Sequence, residues 1–316
     1  MDETTDRPPV GIGMTGFASS PPLAGSLEPS AEELPVLARI AGLLQDAKLA
    51  ILTGAGLSTD SGVPDYRGPG SVPRTPMTYQ EFVGDGVLRQ RYWARNHLGW
   101  RHLRHADPNA GHYALAALER HGLTSGIITQ NVDRLHESAG AVNVVDLHGR
   151  FDRVVCLNCR RVISRSHLAD ELESLNPGFV ELVEAAGPIA AAPDADAALV
   201  QEEQIARFII AECEACAGML KPDFVFFGEN VPKDRVDRSY AMVDAADALL
   251  VAGSSLTVMS GLRFPRYAKK CGKPVVIINR GPTRGDDTAS IKLDAGVSPG
   301  LRYLAARLPT GAKSGG

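Results

Sequence analysis

LAILTGAGLSTDSGVPDYR, residues 49–67, is the stretch whose reading decides the fold. Residues 49–53 form an apolar run that reads as a buried strand, and Gly54-Ala55-Gly56 breaks it with a Gly-x-Gly turn. Glycines in such a turn let backbone N–H groups approach a bound phosphate, and Asp65-Tyr66-Arg67 ends the stretch on a fixed positive charge. That is the front end of a dinucleotide site. The hydride-transfer fingerprint requires a third glycine where Thr59 stands, and an acidic strand-end residue about 20 positions later. Neither is present, which disfavours a dehydrogenase and points to a nucleotide bound for other chemistry.

The pattern around this stretch alternates strands with helices. Ser30 and Glu33 make a capping box before a helical stripe of Leu34, Leu37, Ile40, Leu43 and Leu44. Strands are expected at 126–129, 143–147, 224–227, 248–252 and 275–278, with helical stretches at 78–104, 109–120 (capped by Asn109), 233–246 and 258–271. Such alternation gives an α/β fold with a doubly wound parallel sheet covered on both faces. Residues 151–223 interrupt it as a smaller inserted module, with a helix near 168–185 and an Ala/Pro/Asp linker near 187–198. Residues 1–29 and 309–316 read as tails, the first of them disordered from its Gly, Ser and Pro content. Residues 30–308 form the ordered part. The sheet core takes 30–67, 105–150 and 224–308, and the smaller domain takes 68–104, its helical part, with 151–223.

Bulk properties exclude several partners. Lys plus Arg number 33 against 37 Asp plus Glu, a net charge of −4, so no strong field invites nucleic acid or an anionic membrane. Apolar runs such as 248–252 fall far short of the roughly 20 residues that span a bilayer. The start, MDETTDRPPV, has neither a secretory core nor an Arg-rich presequence pattern, so a cytosolic protein is expected.

Four of the five cysteines form two C-x-x-C pairs, Cys156/Cys159 and Cys213/Cys216. In a reducing compartment such pairs favour one tetrahedral structural Zn²⁺ over disulfides. The gap between them is longer than in compact zinc ribbons. Cys271 reads as a bystander near a helix end.

Ligands of open parallel sheets bind beyond the carboxyl ends of the strands. Small and polar residues stand there: Gly54-Ala55-Gly56, Gln130-Asn131-Val132-Asp133, His148-Gly149, Gly253-Ser254-Ser255 and Asn279-Arg280-Gly281. Gly253-Ser254-Ser255 offers donors for phosphate, and Asn279 suits ribose hydroxyls. His148 is the candidate general base, since imidazole accepts a proton near neutral pH and Gly149 leaves room beside it. Asn131 and Asp133 can order a water and hold a ribose, or cap a helix. His112 and His136 read as structural.

GAGLSTDSGVPDYR (54–67), TQNVDRLH (129–136), LHG (147–149), the two cysteine pairs, KPDFVFFGE (221–229) and GSSLTV (253–258) in this order resemble the sirtuins, the NAD-consuming protein deacylases. The resemblance spans about residues 33–308. YWARN (92–96), GPTRGDD (281–287), the tyrosine of PDYR and the long segment between cysteine pairs are most similar to class II sirtuins. The resemblance implies a Rossmann-like sheet with an inserted zinc-binding and helical domain. It implies NAD as a consumed co-substrate, held by Gly54, Ala55, Gly56, Asp65, Tyr66, Arg67, Gln130, Asn131, Val132 and Asp133 on the nicotinamide side. The adenosine side falls to Gly253, Ser254, Ser255, Asn279, Arg280, Gly281 and Val297.

His148 and Asn131 would then be catalytic, and Cys156, Cys159, Cys213 and Cys216 would hold the zinc, remote from the chemistry. An acylated lysine of a protein substrate would lie along 224–229, with Val225 and Phe227 lining its tunnel. The acyl group would pass to ADP-ribose with release of nicotinamide. Protein mono-ADP-ribosylation is the alternative. Tyr92 and Arg95 resemble a Y-x-x-R pair that other sirtuins use for acidic acyl chains. Otherwise Tyr92, Trp93 and Trp100 pack their helix onto the core and Arg95 is solvated.

Overall fold

A computed structural model describes residues 27–66, 75–185, 190–191, 193–198 and 202–309. Most of the tail expected over 1–29, the tail after 309, part of the 187–198 linker, and Arg67 lie outside the described residues. In chain order the strands are β1 (Leu49–Thr53), β2 (Thr124–Thr129), β3 (Val144–Asp146), β4 (Gly149–Cys156), β5 (Val162–Ser164), β6 (Ala190–Ala191), β7 (Ala197–Ala198), β8 (Leu220–Phe224), β9 (Ala248–Ala252), β10 (Val275–Ile278) and β11 (Ile291–Leu293).

Six of them make one parallel sheet in the order β11-β10-β9-β1-β2-β3. Every residue of β1, β9 and β10 is buried, because helices cover both faces. The period of two along a strand sends alternate side chains to opposite layers. Leu49 and Ile51 meet Leu37, Ile40, Leu115, Leu301 and Leu304 of one helical layer. Ala50 and Leu52 meet Met242, Val243, Leu262, Phe264 and Ala268 of the other. The chain winds outward from β1 in one direction and from β9 in the other, so the strand order reverses between these two neighbours. Ligand crevices open at such switch points.

The second sheet is antiparallel, in the order β5-β4-β8, and carries the cysteines. Its apolar side shares a core with the helices Tyr79–Gly84 and Gly86–Leu103, through Phe82, Tyr92, Trp93, Leu98 and Trp100. Thr78 and Glu81 form a capping box for the first of these helices, and Asp85 caps the second. Among the described residues no helix is long and apolar enough to cross a membrane.

Two strand expectations are corrected. Residues 224–227 are not a strand of the parallel sheet, because β8 ends at Phe224 and pairs antiparallel with β4. The apolar run still alternates, with Phe224 and Phe226 entering the small core and Val225 and Phe227 half-buried on the other side. The sixth parallel strand is β11, whose three residues bury only Leu293 and give little hydrophobic signal. The Ser30–Glu33 capping box is present, with its reciprocal bonds at 2.8 and 3.3 Å, one turn before the helix Leu34–Leu44.

At the switch point the turns after β1 and β9 touch. The Gly56 N–H donates to the Gly253 carbonyl at 2.9 Å. A Cβ on Gly253, which has φ +67°, would lie 2.3 Å from the Leu57 nitrogen. We expect Gly253→Ala to cost about 2 kcal/mol or more, from left-handed strain plus overlap with backbone. Urea unfolding checks this, and an unchanged midpoint would contradict it.

Candidate active site

A cavity of about 770 Å³ opens over the carboxyl ends of β10, β9, β1, β2 and β3. Gly54, Ala55, Gly56, Asp65, Tyr66, Gln130, Asn131, Val132, Asp133, His148, Gly253, Ser254, Ser255, Asn279, Arg280 and Gly281 line it, together with Tyr92, Val225 and Phe227. Among the described residues singled out from sequence for NAD or the acyl chain, two stand apart from this lining. Val297 starts the helix Val297–Arg307 and is buried in the core, and Arg95 is turned away.

His148 reaches the cavity because the chain turns sharply after β3. Gly149 has φ +91°, and a Cβ there would lie 2.2 Å from the Asp223 carbonyl oxygen. Glycine therefore allows β4 to start against Phe224, while the His148 carbonyl accepts the Val225 N–H at 2.7 Å. The imidazole Nδ1 lies 3.0 Å from the Gln130 carbonyl oxygen and Nε2 lies 2.8 Å from Ser260 Oγ. A carbonyl only accepts, so Nδ1 carries the proton and Nε2 is the acceptor, with Ser260 donating. Burial lowers the ring's pKa to about 4; the Gln130 bond opposes this, and Arg235 and Arg263 add to it. At neutral pH the side chain is an uncharged base whose lone pair sits on Nε2.

A network of short bonds braces the neighbouring groups. Asn131 Nδ2 donates to the Gly54 carbonyl at 3.1 Å and to Ser58 Oγ at 3.0 Å. Ser58 Oγ in turn donates to Asp133 Oδ2 at 2.6 Å, and Asp133 Oδ1 accepts the Leu135 N–H at 3.1 Å. Asp133 thus holds the first amide of the short helix Leu135–Ser138 and anchors Ser58 at once. Burial raises its pKa despite both bonds. Gln130 Nε2 donates to the Thr53 carbonyl at 3.1 Å and to Ser254 Oγ at 2.8 Å. Asn279 Nδ2 donates to the Arg280 carbonyl at 2.8 Å. Amides fixed in this way lose little freedom when a ligand arrives.

The opposite wall is aromatic. Tyr66 stands edge-on to Phe227 with ring centroids 6.1 Å apart, and Tyr92 packs on Phe82 and Phe226 at 5.4 and 5.2 Å. Arg95 is half-buried and outside the cavity lining, and its guanidinium grips Asp196 through two bonds of 2.6 and 3.1 Å. Sequence reading passed over Ser58, Ser260 and Asp194, which also line the cavity. Ser58 lay inside the decisive stretch, Ser260 carries no local signal, and Asp194 was hidden in a run that reads as linker.

His136 and His112 are buried with rings 5.1 Å apart, away from the cavity lining. His136 Nε2 bonds Thr53 Oγ1 at 2.8 Å and so braces the end of β1.

The four paired cysteines converge in the small sheet with their sulfurs within 4.8 Å of one another. Cys156 and Cys216 sulfurs lie 3.6 Å apart and Cys159 and Cys213 sulfurs 3.7 Å apart, with no disulfide. A tetrahedral zinc with Zn–S of about 2.3 Å requires sulfurs about 3.8 Å apart, so these residues fit that metal. Both loops turn alike, since Arg160 and Ala217, each following the second cysteine of its pair, have positive φ. A Cβ on Gly218 would meet Cys156 Sγ at 2.9 Å, so glycine leaves the sulfurs room. At strand rise, Gly149 and Cys156 at the two ends of β4 stand roughly 23 Å apart. The cluster is therefore structural rather than catalytic in position.

A doubly wound sheet with a glycine-walled crevice at its switch point defines a nucleotide-binding α/β protein. The Sir2 family model matches residues 54–260. A protein from Mycobacterium avium named NAD-dependent protein deacetylase 1 is 56% identical over 269 residues, covering 85% of this chain and 94% of that protein. A protein of the same name from Streptomyces coelicolor is 52% identical over 276 residues, covering 86% and 90%. Among solved structures, a Sir2–p53 peptide–NAD⁺ complex matches with a TM-score of 0.66 and 30% identity, covering 85% of this chain and 95% of the other. A Sir2 structure bound to a propionylated peptide gives 0.65 and 28%, covering 85% and 97%. The chain belongs to the Sir2 family.

Unfolded, a histidine protonates near pH 6.5, whereas His148 in place does so near 4. The unfolded state binds the extra proton between these values, so this group's stabilisation is complete above pH 6.5 and is lost as pH falls towards 4. NMR of labelled histidine should show the His148 ring neutral and protonated on Nδ1 at pH 7 and still neutral at pH 5. Titration near 6.5 would sink this assignment. Metal analysis of the purified protein should find one zinc per chain, and Cys213→Ser should remove it and lower Tm by about 10 °C.

Proposed function

We propose that this protein is an NAD-dependent protein deacetylase, which moves the acetyl group of a lysine side chain onto the ADP-ribose part of NAD. The observation that carries this reading is His148, a neutral imidazole with Nε2 as acceptor, set where the glycine turns meet the 225–227 segment. Gly54, Ala55, Gly56, Asp65, Tyr66 and Arg67 hold the pyrophosphate and nicotinamide side. Gln130, Asn131 and Asp133 hold the neighbouring ribose, and the 253–255 and 279–281 turns take the adenosine. An extended substrate peptide lies along 224–229, with Val225 and Phe227 flanking the acyl-lysine stem. Main-chain pairing of that kind binds many sequences. The acyl oxygen attacks the ribose carbon as nicotinamide leaves, His148 takes a ribose hydroxyl proton, and the acyl group shifts to the sugar. Water then frees the lysine.

Features outside the shared motifs support placement among class II sirtuins. They are YWARN at 92–96, the long segment between cysteine pairs, and GPTRGDD at 281–287. The last folds back over the adenosine side, where Arg284 donates from its backbone N–H to the Ser255 carbonyl and from Nη1 to the Thr257 carbonyl, both at 2.9 Å. Four thiols gathered for a metal suit a reducing compartment, the cytosol.

Mass spectrometry of a reaction with NAD and an acetyl-lysine peptide should show nicotinamide, the free lysine peptide and O-acetyl-ADP-ribose. His148→Ala should reduce kcat/KM by about 10²-fold or more. ADP-ribose retained on protein, with no free lysine formed, would instead establish a transferase.

A further inference from the structure

Asp194 and Glu229 bring carboxylates to the cavity from outside the parallel sheet, and Glu229 is paired with Lys221 at 3.1 Å. Asp194, in the segment between the cysteine pairs, lines the cavity with Pro193, beside Tyr66 and Tyr92. Its segment is closely seated on the helix Gly86–Leu103. Ala195 is 1% exposed, and a Cβ on Gly99 would lie 2.0 Å from the Ala195 carbonyl oxygen. Only glycine at 99 allows this approach. Asn96 Nδ2 donates to the Asp194 carbonyl at 3.4 Å, and the Arg95–Asp196 pair clamps the segment from its other side.

The Asp194 carboxylate is itself held in place. It accepts the Tyr66 hydroxyl and, at 3.3 Å, the Asp196 N–H. Tyr66 stacks edge-on against Phe227, so the carboxylate borders the channel assigned to the acyl-lysine stem. The two described arginines nearest in the helix Gly86–Leu103 and its neighbour, Arg95 and Arg165, are engaged elsewhere. Arg95 is spent on Asp196, and buried Arg165 bonds the Asn96 side chain and carbonyl and stacks on Trp93 and Trp100. In a cavity of low polarisability a second carboxylate near Asp194 meets strong repulsion.

We propose that Asp194 determines acyl specificity: its carboxylate rejects acyl chains that end in a carboxylate and admits neutral ones. This rests on the deacetylase reading above. It works by a repulsive element, which is how many sites discriminate between ligands of similar size.

The test compares one peptide carrying acetyl-, succinyl- or succinamoyl-lysine, with NAD at pH 7.5. Succinyl and succinamoyl match in size and differ in charge. For the unaltered protein, kcat/KM should be at least about tenfold higher for succinamoyl than for succinyl. Asp194→Asn should bring the two within about threefold, mainly by lowering KM for succinyl, and Asp194→Ser provides a second neutral variant. Equal use of succinyl and succinamoyl by the unaltered protein would overturn the proposal. So would full discrimination persisting in a folded neutral variant. Absence of turnover on every peptide, acetyl included, would bring down the deacetylase reading and this inference with it.

Discussion

The contact between the turns after β1 and β9 is the constraint on which the rest of the molecule depends. These strands are neighbours at the sheet's centre, and the chain winds away from them in opposite directions. Their carboxyl ends can come together only if neither turn carries side-chain bulk. Gly54 and Gly56 meet Gly253 and Ser254 so closely that a Cβ on Gly54 would lie 2.8 Å from Ser254 Cβ. Part of what glycine does here is packing, because the Gly56 N–H is already bonded to Gly253. The crevice floor is therefore backbone. Polar side chains from the flanking strand ends, Gln130 and Asn131 on one side and Asn279 on the other, can then converge above it.

Burial acts on histidine in the same way throughout the protein, and geometry decides the consequence. His97, His112, His136 and His148 all have lowered pKa values, with desolvation the largest cause in each. His136 commits Nε2 to Thr53 inside the core. His148 has Nε2 at the cavity, where among the described residues the Ser260 hydroxyl is its partner. A core force that normally silences a titratable group thus yields a base that is ready at neutral pH.

The fold was legible where the strands are buried on both sides, since β1, β9 and β10 are mainly apolar runs that end in turns of glycine, serine or asparagine. It was misread where a run had two different neighbours. Phe224 to Phe227 looks like a core strand because it does bury two aromatic rings, but they enter the small domain's core. β11 escaped notice because an edge strand of three residues need bury only one. The strand-end residues that meet at the cavity could be named from sequence because each follows a recognisable strand. Ser260 and Asp194 could not, since their positions depend on contacts 112 and 101 residues away, from Ser260 to His148 and from Asp196 to Arg95. The partner of Arg95 was invisible for the same reason. A helix shows which residues share its face, and says nothing of the carboxylate that arrives from another part of the chain.

The seat of residues 193–196 on Gly99 separates two properties that a single pocket usually binds together. The glycine and amide floor of the cavity comes from the sheet's strand ends, whereas part of its wall near Tyr66 and Tyr92 comes from a short segment laid on a helix of the other core. Changes in that segment leave the sheet intact. Its replacement offers a lineage a way to reshape one wall of the cavity without rebuilding the floor, provided the helix keeps a residue without a side chain at the point of contact.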